Sequence, residues 1–455
     1  MSQILTSLLA FVVAIGLLVA IHEYGHYIVA RLCGVKVLRY SIGFGRVLWS
    51  KRSGADQTEY CLSAIPLGGY VKLLDERDCP VTFVERGRAF NRQSSAVKIA
   101  ILAAGPAFNL LFAIVAYAAM FMSGVPGMKP VIGTVDAGSV AASAGLHDGD
   151  RIVAVGGRQV LTWESATLAM LDDMLAEGAI RLEVADKTGA TRPATILTAG
   201  HESELTEPGK LFTELGMKPW SPEPDRVISA VTPGSPAAAA GLRAGDRLES
   251  MDGEPVKSLG TWIEHVRSHP GESIKLGVER NGEQLAITVV VGKVQSDDGE
   301  IGQIGAAFAL PEGLLESMRA EERYGPFKSL GKGIAKTWEM SALTLRMIWR
   351  MVTGDVSPKN ISGPINIAEY AGMSASIGAT AFLNFLAIVS ISLGVLNLLP
   401  VPMLDGGQIV YTVAETFKGG PLSERVQIIG QQIGIALLLA LMSFAFYNDI
   451  SRLLS

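Results

Sequence analysis

The sequence predicts an α-helical polytopic membrane protein with four transmembrane helices and a folded α+β portion outside the bilayer. Three observations carry this. Hydrophobic residues make up 49% of the 455 and charged residues only 18%, and mean hydropathy is +0.32; this is the balance of a membrane protein carrying a sizeable soluble part. Four uncharged stretches reach the roughly 20 residues that cross a bilayer. Between the second and third lies the long region 129–369, which contains an internal repeat.

The first span starts from Ile4–Ile21, 18 residues without a charge, and extends to about Ala30. It resembles a signal peptide only superficially, because it lacks a basic n-region and its apolar run exceeds an ordinary h-region. We read it as retained. The second span is 99–122, the third 379–399 and the fourth 426–448. Loop 31–98 carries 12 Lys/Arg against 6 Asp/Glu, while the first thirty residues have neither Lys nor Arg. The positive-inside rule puts 31–98 in the cytoplasm. Both termini and the long region are then outside. Its segment 323–369 is also basic, and Phe327, Leu330, Ile334, Trp338, Leu345 and Ile348 recur there at helical spacing. An amphipathic helix on the outer membrane surface fits, and so does a helix packed on the soluble part. Cys33, Cys61 and Cys79 all fall at or beyond the end of the first span, without CxxC spacing, as reduced thiols facing the cytoplasm or the membrane. A net charge of −5 gives no reason to expect a nucleic acid partner.

Residues 135–157 align without a gap on 231–253, and twelve of the 23 positions are identical. Such a repeat signals two copies of one domain, over 127–219 and 223–311. The shared AGLxxGDR reads as a short helix ending at a left-handed glycine, Gly145 or Gly241, followed by a turn into a strand. This is similar to the PDZ fold, which holds a peptide or a protein's carboxyl terminus by adding it to a sheet edge. The apolar-Gly-apolar segments expected to bind the carboxylate are centred on Gly216 and Gly305. Each follows its repeat, so the two tandem PDZ domains read as circularly permuted. Two β-rich modules without a peptide groove are the alternative.

HEYGH at 22–26 closes the first span. HExxH on a helix puts His22 and His26 on one face, where two neutral imidazoles ligate one zinc ion and Glu23 takes a proton from water. Uncompensated ionisable groups at membrane depth are costly, and a metal is one compensation. A catalytic zinc needs a third protein ligand. The candidate is Asp405, in NLLPVPMLDGG (397–407), where Pro400 and Pro402 break the third span. The competing use of Asp405 is as N-cap of a helix starting near Gln408. Both motifs arrive at the same face of the membrane under the orientation above.

HEYGH, GPAFN (105–109), the paired PDZ-like repeats and the late LDGG together resemble the site-2 protease family over essentially the whole chain. The resemblance implies a zinc metalloprotease of the bacterial inner membrane, with periplasmic PDZ domains and one zinc per chain. It implies cleavage within transmembrane segments of single-span proteins, including anti-sigma factors already trimmed outside and remnant signal peptides. It further implies a size-filtering role for the PDZ pair. The substrate helix must unwind before attack, and its freed backbone then needs partners. Tyr40–Gly45 and Leu67–Leu73 read as strands dipping toward the membrane, in the region where the family places a substrate-pairing strand. Gly43, Phe44, Gly45, Gly68, Gly69 and Tyr70 are the contact candidates, with an ordinary hairpin as the alternative. Asn397 is expected to hydrogen-bond the unwound substrate, as the resemblance implies. Asn109 is expected either to do the same or to join two helices.

Two other classes compete. A PDZ scaffold with a decayed protease core would bind no stoichiometric zinc, and the intact HExxH and LDGG argue against it. A metal transporter would spread ionisable residues over several spans, whereas here they cluster at one face.

Overall fold

Apolar runs bounded by caps and breakers set the membrane helices. The computed structural model describes residues 2–454 apart from Pro208, Glu223, Lys257, Asp297, Asp298, Pro311, Glu312, Pro358 and Asn360. The expected boundaries of the second repeat, Glu223 and Pro311, thus lie outside the described residues. Among the described residues four helices are long and apolar enough to cross a membrane: Ile4–Leu32, Ser95–Ser123, Ala379–Leu398 and Glu424–Arg452. The first belongs to helix α1 (Ser2–Leu32). A long antiparallel hairpin follows, β1 (Val37–Ser53) and β2 (Thr58–Leu73), with several register shifts. Helix α2 (Ser95–Ser123) starts at Ser94, whose side chain accepts from the Val97 N–H, an ordinary N-cap.

Strand β3 (Val125–Met128) leads from α2 into the repeat region. The first module contains β4 (Ile132–Val135), α3 (Val140–Ser143), β5 (Arg151–Val155), β6 (Arg158–Gln159), α4 (Trp163–Glu177), β7 (Ala179–Ala185), β8 (Thr191–Leu197), α5 (Glu202–Leu205), α6 (Lys210–Leu215) and β9 (Met217–Pro219). The second contains β10 (Ile228–Val231), α7 (Pro236–Ala239), β11 (Arg247–Met251), β12 (Glu254–Pro255), α8 (Leu259–Ser268), β13 (Ser273–Arg280), β14 (Glu283–Val290), β15 (Gly292–Ser296), β16 (Gly299–Gln303) and β17 (Ala306–Phe308). Their main sheets have the same strand order, β6-β5-β7-β8 and β12-β11-β13-β14, and in each the first strand pairs with the last, β4 with β9 and β10 with β17.

The repeated Gly-Asp carries a repeated ion pair. Asp150, 3% exposed, is met by Arg192 Nη2 at 2.6 Å, and the same nitrogen donates to the Gly145 carbonyl. Asp246, 0% exposed, is met by Arg280, which donates to the Gly241 carbonyl. The hydrogen bond from Arg280 holds the Asp246 carboxyl below its ordinary pKa.

After α9 (Leu314–Met318), strand β18 (Arg319–Glu322) pairs antiparallel with β3, Glu322 opposite Val125. Both ends of the module pair therefore pass through one two-stranded stalk. Helix α10 (Pro326–Thr353) packs on the C-terminal half of α2, with Gly333 against the Ile114 carbonyl and Ala118. Its other side leaves Phe327, Ile334, Trp338, Trp349 and Val352 exposed, so one face is packed and another is free. The basic segment read as one amphipathic stretch is two helices. The second, α11 (Pro364–Ile377), lies along α1 and receives a cap from Asp449, whose carboxylate accepts from the N–H groups of Gly363, Ile365 and Asn366. Helices α12 (Ala379–Leu398), α13 (Asp405–Lys418) and α14 (Glu424–Leu454) complete the fold.

Candidate metal centre

The site forms where α1, α2 and the start of α13 meet. Small residues let α1 and α2 cross closely. A Cβ on Gly25 would overlap the Ala104 carbonyl, and one on Gly105 would overlap the rings of both His26 and His22. Gly105 thus keeps clear the space that the imidazoles fill. Sequence reading noticed GPAFN but gave Gly105 no part in the site, because nothing in the sequence says which helix faces it.

The chain reverses after α12 through Pro400, Pro402 and Met403, the last at φ +89°, a conformation that non-glycine residues seldom adopt. Helix α13 then begins at Asp405 itself, and Leu404 is its N-cap residue. The N-cap use of Asp405 therefore drops out. The two glycines after it are required by packing. A Cβ on Gly406 would overlap the Leu398 and Leu399 carbonyls, and one on Gly407 the Val401 carbonyl.

This turn directs Asp405 at the two histidines. Its Oδ2 lies 3.2 Å from His22 Nε2 and 3.4 Å from His26 Nε2, and the two Nε2 atoms are 3.2 Å apart. His22, His26 and Asp405 form the candidate metal cluster, with ligand atoms within 4.8 Å of one another. A hydrogen bond to a backbone carbonyl orients His26. His26 Nδ1 donates to the Ile101 carbonyl at 2.7 Å, which makes Nε2 the lone-pair atom. With His22 in the matching neutral tautomer, two imidazole lone pairs and a carboxylate oxygen face one point. Asp405 Oδ2 is buried without a hydrogen-bond partner among the described residues. Such a set repels itself unless a cation sits among it, and two nitrogens with one oxygen suit zinc.

Asn109 completes the surroundings of His22. Its side-chain amide lies 3.2 Å from His22 Nδ1. With His22 Nε2 as a ligand atom, Nδ1 carries the proton and needs an acceptor. The Asn109 side-chain oxygen is buried and otherwise unpartnered. Turning the amide over, an assignment that the heavy-atom positions leave open, brings that oxygen to the ring. Asn109 is 0% exposed, and its backbone carbonyl accepts from Ser390 Oγ on α12 at 2.8 Å. Of the two expected uses of Asn109, the structure shows the joint between helices through its backbone carbonyl, while its side chain is buried beside His22.

Glu23, 9% exposed, sits beside strand β2. A Cβ on Gly69 would press on the Glu23 side chain, Val19 and the Ser41 carbonyl. A Cβ on Gly68 would overlap Phe44, and one on Gly43 (φ +91°) the Ile65 and Ser63 carbonyls. At these three glycines the space a Cβ would need is filled by the chain's own atoms. Gly45 (φ +83°) turns beside the Ile65 side chain. Phe44 is 43% exposed and stacks on Tyr70, with ring centres 6.3 Å apart. The Tyr70 hydroxyl accepts from Arg39. Asn397 stands half-buried in the last turn of α12, with no side-chain hydrogen bond among the described residues. Gly216 and Gly305 belong to the first and second modules. Each adopts a left-handed turn before the last strand of its module, φ +68° and +76°, against Ser139 and Ser235.

Comparison with known proteins agrees with this chemistry. The regulator of sigma-E protease RseP of Escherichia coli is 41% identical over 454 residues, covering 100% of both chains. A protein of Neisseria meningitidis whose name carries "zinc metalloprotease" is 42% identical over 98% of this chain and 99% of its own. Protease RseP of Yersinia pestis is 40% identical over the full length of both. Among solved structures, the PDZ domain of an SdrC-like protein from Listeria monocytogenes aligns with 20% of this chain and 92% of its own, at 21% identity and a TM-score of 0.17; that score carries no weight for the fold. The model of peptidase family M50 matches residues 10–441. With that match and full-length identity of this order, the chain belongs to peptidase family M50, the site-2 proteases, and is a zinc metalloprotease.

Proposed function

We propose that the protein hydrolyses peptide bonds within transmembrane segments of single-span membrane proteins, using one zinc per chain held by His22, His26 and Asp405. The observation that carries this reading is the convergence of His22 Nε2, His26 Nε2 and a carboxylate oxygen of Asp405 at the end of a membrane helix, beside the buried Glu23. Bound zinc supplies Lewis-acid polarisation of a carbonyl and lowers the pKa of a water to roughly 7. Glu23 accepts the proton of the attacking water and returns one to the leaving amine. Ile101 and Asn109 hold the two imidazoles in the tautomer that ligation requires. The substrate unwinds against the edge of β2. Phe44 and Tyr70 offer apolar contact there, and Asn397 offers a free amide to the backbone groups released.

The orientation that fits puts 31–98 in the cytoplasm and the termini and module pair in the periplasm of a bacterial inner membrane. The two modules act as circularly permuted PDZ domains. Their bulk excludes partners with large outer domains, and peptide binding at Gly216 or Gly305 is secondary. Substrates are then an anti-sigma factor after trimming of its outer domain, and remnant signal peptides. The test is cleavage of a model membrane segment by purified protein. Chelation should stop it and zinc restore it. Glu23→Gln should abolish cleavage with zinc content unchanged, whereas Asp405→Ala should lower zinc content. Loss of zinc in Glu23→Gln, or full zinc in Asp405→Ala, would reject the assigned roles.

A further inference from the structure

We infer that Arg346 and Arg350 of α10 are positioning residues that clamp the first PDZ-like module to the membrane body and leave the second module as the movable part of the filter. The functional consequence rests on the size-filter reading above; the clamp itself rests on geometry.

The first module does not close its core alone. Val356, which follows the end of α10, is 0% exposed and lies within the core of residues 132–217. Leu343, Met347 and Met351 of α10 pack against the same core. Two arginines one helical turn apart fix this seam. Arg346 Nη2 lies 2.7 Å from Asp172 Oδ1, a charge contact rather than an aligned hydrogen bond. Arg158 of the module donates to the other oxygen, Asp172 Oδ2, at 2.6 Å. Asp172 is 7% exposed, so its charge is shared between one arginine of its own module and one of α10. Arg350 Nη2 donates to the Leu175 carbonyl at 2.9 Å. Leu175 lies in the last turn of α4, whose final carbonyls have no partner within the helix. Arg350 therefore caps α4 from a different part of the chain and places a positive charge at the negative end of its dipole.

Among the described residues the second module has no such seam. Its core is built from residues 228–304. Among the described residues, no hydrogen bond or ion pair joins 228–308 to the membrane helices, to α10 or to the first module. The first module is thus continuous, through α10 and the close crossing at Gly333, with α2 and so with Asn109 and the metal centre. Restraint of the first module sets a fixed jaw above the membrane body, and displacement of the second sets the opening.

Both arginines lie outside the first module, so they can be changed without removing Arg158 from Asp172. The full-length protein, freed of its three native cysteines, would carry spin labels at Thr188→Cys in the first module and Arg323→Cys beside α10, in lipid nanodiscs. A narrow distance distribution is expected. Arg346→Glu with Arg350→Glu should broaden it, Arg346→Lys with Arg350→Lys should restore it, and hydrogen exchange of β7 and β8 should stay unchanged in both. The Glu pair should also cut an untrimmed substrate at least about tenfold faster, with a trimmed one unchanged. A distribution that stays narrow in the Glu pair, or broadens equally in the Lys pair, overturns the clamp. Broadening with the untrimmed substrate still uncut keeps the clamp and rejects the size filter.

Discussion

Replacing Asn109 with leucine tests whether the buried amide serves the metal centre. The substitution keeps the side chain's branching and number of heavy atoms in a position that is 0% exposed, so no cavity opens, although the bulkier methyl groups must be accommodated. What is lost is the side-chain amide 3.2 Å from His22 Nδ1, which with its oxygen turned to the ring is the acceptor for that N–H. An N–H left unsatisfied in a dry site costs about 1–3 kcal/mol. Loss of the partner that orients a ligating histidine lowers metal affinity about 10–100-fold, which is about 1.4–2.8 kcal/mol. The two routes agree, and Asn109→Leu should therefore bind zinc about 10–100-fold more weakly. Asn109→Asp retains an acceptor toward the imidazole and should stay much closer to the parent. Zinc affinity would be read by competition with a chromophoric chelator in detergent, with thermal unfolding followed in parallel. An unchanged affinity in a folded Asn109→Leu protein would refute the argument and make Asn109 only a joint between α2 and α12.

Gly105→Ala should lower zinc occupancy and activity together, because its Cβ overlaps both imidazoles; metal analysis of purified protein reads the loss directly, and full occupancy would show that the rings have room to move. Cys33, Cys61 and Cys79 should resist a membrane-impermeant thiol reagent added outside intact cells, and labelling of Cys79, which is partly exposed, would invert the proposed orientation. Deletion of 127–311 should permit cleavage of an untrimmed substrate and preserve that of a trimmed one. Substitutions at Gly216 or Gly305 should do less, as judged by gel assay of both substrates. If trimmed substrate is lost as well, the modules recruit or support rather than exclude.

The parts legible in the sequence are those with a local period or a compact motif. Uncharged runs reveal the spans, and HEYGH puts two imidazoles on one helical face because four residues make about one turn. Asp405 was legible through the prolines around it, although its competing use as a cap needed the turn at Met403 to be excluded. The rest depends on pairs distant in the chain. His22 and Asn109 are 87 positions apart, and no periodicity announces that they meet. Gly43, Gly68 and Gly69 advertise close approach without saying by what, and the neighbours their missing Cβ atoms make room for are atoms of the protein's own hairpin and first helix. The repeated aspartates were visible, but Arg192 comes from β8 and Arg280 from β13. The gapless repeat alignment could not pair them. The arginines of α10 looked like ordinary basic residues of an amphipathic segment, since their partners lie on α4.

The β3–β18 stalk has a consequence for how such proteins can diversify. Facing residues of an antiparallel pair have Cα atoms about 4.5–5.5 Å apart, so Val125 and Glu322 place the departure and return of residues 129–318 side by side. The intervening segment is a cassette with adjoining ends. Its contents can be exchanged, duplicated or shortened to a hairpin turn while α2 and α10 keep their separation. A graft has only to supply two neighbouring strands, and a surface for α10 if it is to be held as firmly as the present occupant. One hydrolytic core can in this way acquire new discrimination at its outer face without any change in the helices that hold the metal.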